Sequence, residues 1–280
     1  MKDSFLYQFG KTTYDLSTRS FVMGVLNVTP DSFSDGGKYL DPEAAIKHAI
    51  DMEKEGVDFI DIGGQSTRPG SEEISLEEEL KRVIPVLKEV VKTVKVPVSI
   101  DTYRSVIADE ALSYGAVIVN DISGFNFDNS MPKVIANHKA TGIVMHIKGT
   151  PKNMQTEPVY GDLLGEISSY FENAAWKANV EGITQIIIDP GIGFGKTSEH
   201  NLQLIKNLSV FKKLDSPIMV GVSRKSMIGK ILSIDDVNDR LEGTIVLNAL
   251  ALANGANIIR VHDVKEGVRT ARMFDAYKNS

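Results

Sequence analysis

Gln185-Ile186-Ile187-Ile188-Asp189-Pro190-Gly191 runs from three consecutive isoleucines straight into a carboxylate, a proline and a glycine. Three β-branched residues in a row suit a strand covered on both faces, as in a parallel sheet flanked by helices. The Pro-Gly step ends it. Working outward, similar short apolar segments lie at Phe21–Asn27, Asp58–Gly64, Val96–Asp101, Val117–Ser123, Gly142–Ile147, Pro217–Ser223 and Asn257–Asp263. Amphipathic windows separate them, for example Pro42–Gly56, Leu76–Val94, Arg104–Gly115, Leu163–Gly182 and Arg240–Gly255. Several of these close on a glycine, the residue that most easily takes the left-handed turn after a helix. Strand and helix alternating eight times predicts an α/β fold, a single-domain (β/α)8 TIM barrel over about residues 21–280. Residues 1–20 read as a small hairpin or a cap on the barrel bottom. An open doubly wound sheet is the competing arrangement.

Bulk properties narrow the classes of function. The chain has 280 residues, 42% hydrophobic and 24% charged, and can bury a large core without staples. Without a cysteine it has no disulfide, no thiolate metal site and no cysteine nucleophile, which fits a cytoplasmic setting. Met1-Lys2-Asp3-Ser4 does not read as a signal peptide, and no apolar run approaches the ~20 residues of a membrane span. Net charge is −6 with lysine and arginine scattered, which argues against nucleic-acid and anionic-membrane partners. An anionic small molecule would need positive charge gathered locally.

The strand ends carry that kind of chemistry. They present Asn27, Asp61, Asp101, Asn120 with Asp121, His146, Asp189, Ser223 with Lys225 beyond it, and Arg260 with His262. In a barrel this rim is where active sites are built. Asp101 could equally cap the next helix. Asp189 is harder to read that way, because a carboxylate leaving so apolar a strand must be paired or hydrogen-bonded. Two such carboxylates with Asn120 could read the donor edge of a planar guanidine-like heterocycle and stabilise positive charge on it. The glycines of Gly191–Gly195 let backbone approach a ligand, but no Gly-Lys-Ser or Gly-Lys-Thr stands at Walker spacing, and Lys196 is expected to be solvated. Arg260 and His262 share one face of the last strand, and an arginine fork suits phosphate oxygens. Two polar loops, Asn27–Gly37 and Gly63–Gly70, have the composition of lids over a second substrate.

Together these segments resemble the dihydropteroate synthase family. The resemblance is carried by Met23–Gly37, Gly63–Gly70, Ser99–Thr102, Asn120–Gly124, Met145-His146, Asp189–Gly195, Gly221–Ser226 and Arg260–Asp263, in family order from residue 23 to 263. It implies that 4-aminobenzoate is joined to 6-hydroxymethyl-7,8-dihydropterin diphosphate, giving 7,8-dihydropteroate and diphosphate with Mg²⁺ assisting, and that the protein is a homodimer. By the same resemblance Asp101, Asn120, Asp189 and Lys225 bind the pterin, with Ile122, Met145, Phe194 and Gly221 lining its pocket. Asn27 ligates Mg²⁺, while Thr67, Arg260 and His262 hold the diphosphate. Phe33, Asp35, Thr67, Arg68, Pro69, Phe194, Ser223 and Lys225 surround the aminobenzoate, and Asp35 joins Asp101, Asp189 and Lys225 among the catalytic groups. The family is a sulfonamide target. Gln65 departs from the acidic or apolar residue of the family, and Phe125-Asn126-Phe127 is bulkier than usual.

Two rivals share the pterin pocket. A methyltetrahydrofolate corrinoid methyltransferase resembles this barrel but has no need of Arg260 and His262 on a diphosphate, nor of an aminobenzoate lid. A pterin-binding paralogue without turnover should have lost lid or diphosphate residues, and here they are present.

Overall fold

The computed structural model describes residues 4–29 and 42–280. Eight parallel strands form one sheet: β3 (Phe21–Asn27), β4 (Phe59–Gly63), β5 (Val98–Asp101), β6 (Ile118–Asp121), β7 (Thr141–Met145), β8 (Ile186–Asp189), β9 (Met219–Val220) and β10 (Ile258–Val261). The sheet order is β8-β7-β6-β5-β4-β3-β10-β9. Its two ends meet: Ile188 bridges Ile218, and Ile188 N donates to Pro217 O (3.0 Å). That closure removes the sheet edges and rules out the open doubly wound arrangement.

Helices cover the outside: α1 (Pro42–Glu55), α2 (Leu76–Thr93), α3 (Ser105–Ser113), α4 (Met131–Asn137), α5 (Leu163–Glu181), α6 (Ser198–Lys206), α7 (Ser226–Leu232), α8 (Leu241–Ala253) and α9 (Val264–Lys278). Four of the expected glycine stops take left-handed backbone, with φ of 94° at Gly56, 109° at Gly115, 85° at Gly182 and 111° at Gly255. Residues alternate between the two faces of each strand. Val22, Ile60, Ile62, Ile100, Val119, Val144, Ile188 and Ile259 face outward and join the helices in one apolar layer.

The inward residues divide by height. In the lower barrel Phe21, Met23, Phe59, Ile118, Ile143, Ile187, Met219 and Ile258 form a second cluster. It is completed by Tyr7, Phe9 and Leu16 from the N-terminal segment, where β1 (Leu6–Phe9) pairs antiparallel with β2 (Thr12–Asp15). The early residues are therefore a hairpin that plugs the bottom, and Tyr7 Oη ties it to the barrel by donating to Ile186 O (2.7 Å). Burying one such aromatic contributes about 1.5–3 kcal/mol, so the lower end is sealed mainly by apolar packing. Above this plug the interior turns polar, and the chemistry is confined to the strands' C-terminal halves.

Candidate active site

Parity along β4 places Phe59, Asp61 and Gly63 inside the barrel, so Asp61 lies two residues below the mouth and not on the rim. It is 0% exposed. Its Oδ2 accepts from Asn120 Nδ2 (2.8 Å) on β6 and from Arg260 Nε (2.7 Å) on β10. Arg260 reaches up from there, Nη2 donating to Asp101 Oδ2 (2.7 Å). The register sets Gly63 opposite Asp101, and Asp101 opposite Asn120. A glycine at 63 leaves the Asp101 side chain room, since a Cβ there would sit 3.4 Å from the Asp101 Cβ.

With its amide nitrogen committed to Asp61, Asn120 has its oxygen left as an acceptor for a ligand. Burial pushes the Asp101 carboxyl up to about 7 against the pull of the Arg260 guanidinium. Across the barrel, burial likewise raises Asp189, opposed by Lys225, and Asp189 Oδ1 accepts from Gly191 N (2.7 Å). Burial draws the Lys225 ammonium down to about 8, with Asp189 working in the other direction. Lys225 Nζ donates to Ile192 O and stands 4.6 Å from the centre of the Phe194 ring. Ile122, Met145, Ile147 and Met154 form a small apolar cluster, with Tyr103 and Phe194 packed on it. The sequence-predicted Asp101, Asn120, Asp189 and Lys225 thus converge over a wall made of Ile122, Met145 and Phe194. Gly221, also expected here, is buried where β9 exits, and a Cβ on it would sit 3.7 Å from the Arg260 Cβ.

At the mouth, Ser223 Oγ accepts from the His262 backbone N (3.2 Å) and lies 3.0 Å from His262 Nδ1. The hydroxyl hydrogen is then free to donate to Nδ1, which assigns the ring proton to Nε2. Burial, then the charges of Arg260 and Arg224, hold His262 down at about 4, so at neutral pH it is a neutral donor and Arg260 is the cation of the pair. Asn27 ends β3 half-buried beside Gly63. Thr67 is half-buried while Arg68 and Pro69 are exposed on the loop after β4, whose Gly70 N donates to Pro151 O (3.0 Å). Phe33 and Asp35, with the rest of the first lid beyond Thr29, lie outside the described residues.

Some strand-end residues serve the scaffold. Asp121 is fully buried and accepts from Ser123 N (2.7 Å), Ser123 Oγ (2.7 Å) and Phe125 N (3.0 Å), shaping its own turn. Arg224 takes left-handed backbone (φ 56°) and turns away to Asp263. Lys196 corrects the expectation of a solvated side chain: it is 2% exposed, held among neutral acceptors beneath the Gly191–Gly195 turn. Of the two departures, Gln65 Nε2 donates to Tyr103 Oη (2.7 Å), which in turn donates to Glu73. Phe125 is buried in the outer layer, where Gly142 makes room for it, and Phe127 packs edge-on against Tyr103.

Sequence reasoning missed the roles of Asp61 and Lys196. Strand parity was the available signal for Asp61; nothing local distinguishes Lys196 from a surface lysine.

This arrangement can bind a planar ring through carboxylates and an amide and stabilise positive charge on it, with a guanidinium beside it. The sequence pattern of the pterin binding enzyme family matches residues 23–262. The dihydropteroate synthase of Synechocystis sp. is 48% identical over 269 residues, 95% of this chain and 93% of that protein. The chain belongs to the dihydropteroate synthase family. These enzymes are transferases of folate biosynthesis, and the match sets aside the corrinoid methyltransferase reading. Among solved dihydropteroate synthases, that of Yersinia pestis in complex with a sulfonamide drug superposes with a TM-score of 0.93 at 40% identity, covering 99% of this chain and 100% of that one. The Xanthomonas albilineans dihydropteroate synthase with 4-aminobenzoic acid gives 0.92 at 34% identity, covering 99% of each chain.

Proposed function

We propose that this site performs the dihydropteroate synthase reaction by letting diphosphate leave from the pterin before the arylamine attacks. The C–O bond of 6-hydroxymethyl-7,8-dihydropterin diphosphate breaks, the electron pair leaves with diphosphate, and the nitrogen of 4-aminobenzoate bonds to the freed carbon and sheds a proton. Asp101 and Asp189 stabilise the positive charge left on the ring. Asn120 and Lys225 hold the ring in plane, and Ile122, Met145 and Phe194 keep it dry. Arg260, with the neutral Nε2–H of His262 and the Thr67 hydroxyl, faces the leaving group. Arg68, Pro69, Ser223, Phe33 and Asp35 attend the aminobenzoate. The observation that carries this reading is the convergence of two buried carboxylates, one amide, one guanidinium and one ammonium on a single apolar wall.

Asn27 fits a magnesium ion in a limited sense. Among the described residues no three His, Cys, Asp or Glu side chains gather as a metal cluster. A single amide oxygen at the mouth suits a hard cation that keeps waters and substrate phosphate oxygens as its other ligands. Bound there, Mg²⁺ would neutralise charge on the departing diphosphate.

A homodimer is the second part of the proposal. Neighbouring helices α8 and α9 leave Val246, Leu250, Met273 and Tyr277 exposed, Met273 and Tyr277 at 73% and 76%, an apolar surface suited to a second copy. No described helix is long and apolar enough to cross a membrane, and a cysteine-free chain accords with a cytoplasmic setting.

The test is diphosphate release with each substrate alone and with both, with and without Mg²⁺. Dihydropteroate formed only when all three are present is the expected result. Methyl transfer to a cobalamin protein, or pterin binding without turnover, would overturn it.

A further inference from the structure

We propose that Lys196 is a positioning residue of this active site: its buried amine fixes the Gly191–Gly195 turn and, through that turn, places Lys225 and Phe194 against the pterin. The inference rests on the reaction proposed above and adds a residue to it.

The turn has a single backbone bond of its own, Phe194 N donating to Gly191 O (3.0 Å). Gly191, Gly193 and Gly195 all take left-handed backbone (φ 67°, 86° and 66°), and the backbone lies directly on the exit of β7. A Cβ at Gly191 would sit 1.9 Å from His146 O, and one at Gly195 2.4 Å from Lys148 O. A chain packed this way turns its carbonyls toward side chains, and each of the five finds a side-chain donor. Lys196 Nζ donates to Gly191 O (2.9 Å) and Phe194 O (2.9 Å), Lys225 to Ile192 O, Gln155 Nε2 to Gly193 O (2.7 Å) and Tyr160 Oη to Gly195 O (2.7 Å). Lys196 supplies two of these bonds, to the first and fourth carbonyls of the turn. Its other partners are both on His146, Nδ1 (2.8 Å) and the carbonyl oxygen (3.4 Å), so the amine also ties the turn to the exit of β7.

Lys196 has neutral acceptors where a buried lysine ordinarily has a carboxylate. Burial pulls its amine well below the usual lysine range, and burial with the Lys196 charge holds His146 down at about 2, so the imidazole stays neutral. Such a group is retained at a cost unless its bonds matter, because any of its acceptors left unpaired would be penalised. The link to chemistry is Lys225, whose Nζ rests on Ile192 O and beside the Phe194 ring, both held by the turn. The charged groups that act on Lys225 are Asp189 and Arg260, and Lys196 in turn feels Asp189, Lys225 and Lys148. If the turn relaxes, water reaches Lys225 and its amine moves back toward the ordinary lysine range.

The experiment is Lys196→Met, which keeps the length and apolar stem but removes every donor. Affinity for 6-hydroxymethyl-7,8-dihydropterin is measured by calorimetry on folded protein, and the pH–rate profile is measured with both substrates. Expected are a pterin affinity weaker by about 10- to 100-fold, the scale of a small misplacement of a binding group, and an alkaline limb displaced upward from about 8. A folded variant with wild-type pterin affinity and an unmoved limb would overturn the proposal, whatever its melting temperature. Lys196→Gln, which retains a donor, is read by the same two criteria if the methionine variant does not fold. Absence of turnover in the wild-type protein would refute the reaction, while the binding measurement would still judge Lys196.

Discussion

Replacing Arg260 by alanine removes the charge around which the pocket is organised. The guanidinium makes two charge-assisted bonds of 2.7 Å, to Asp61 and to Asp101, and Asp61 is 0% exposed. Breaking a buried pair by deleting one partner costs about 3–5 kcal/mol, because the other charge stays behind unpaired. In a chain of 280 residues that corresponds to a melting temperature lower by about 5–10 °C. The loss depends on pH. Asp101 already sits at about 7, above its ordinary carboxylate value, and Arg260 is what holds it from rising further. In Arg260→Ala the folded-state value climbs higher still. A raised carboxyl binds its proton more tightly when folded, so the penalty is full above the folded pKa and relieved as pH falls through it. Melting curves of variant and wild type should therefore approach each other from pH 9 to pH 6. In steady-state kinetics, kcat/KM for the pterin diphosphate should fall by about a hundredfold or more, since each 1.4 kcal/mol is tenfold. The KM for 4-aminobenzoate should change far less. Unchanged use of the diphosphate substrate, or a melting difference constant from pH 6 to 9, would refute this account of Arg260.

Lys225→Met should abolish the alkaline limb near pH 8, because that limb is the deprotonation of an amine brought down by burial; a limb that persists in the pH–rate profile assigns it elsewhere. Gly191→Ala should give little folded protein, measured as soluble yield and melting temperature, because its Cβ would lie 1.9 Å from His146 O at a φ of 67°. Chelation of Mg²⁺ should stop diphosphate release and readdition restore it, while pterin binding measured by calorimetry survives, since the groups proposed to hold the pterin are side chains of the barrel.

The barrel was legible because its signals are local and periodic. Ile186–Ile188 and its counterparts mark strands buried on both faces, and Gly56, Gly115, Gly182 and Gly255 mark helix ends, each within a few residues. The candidate site was legible for the same reason: a parallel barrel gathers its strand ends at one mouth, so Asp101, Asn120, Asp189, Lys225 and Arg260 had to share it. The strand-end pattern placed Asp61 on the rim, where β4 shows it one layer down, because the extent of the strand beyond a residue depends on its neighbours' register. It could not show that Asp61 holds both Asn120 and Arg260, which are 59 and 199 residues away along the chain.

What the sequence determined by itself was the repeating unit, its eightfold repetition and the set of polar groups at the strand ends, all set by side-chain periodicity and residue type. What only the tertiary structure decided was how those groups pair. Lys196 reads as a surface cation in a glycine-rich stretch, yet four acceptors at the turn and the exit of β7 enclose it. Whether a charged side chain meets water or protein is set by what the rest of the chain packs over it, and that information is spread over residues 146 to 196 rather than written beside the lysine.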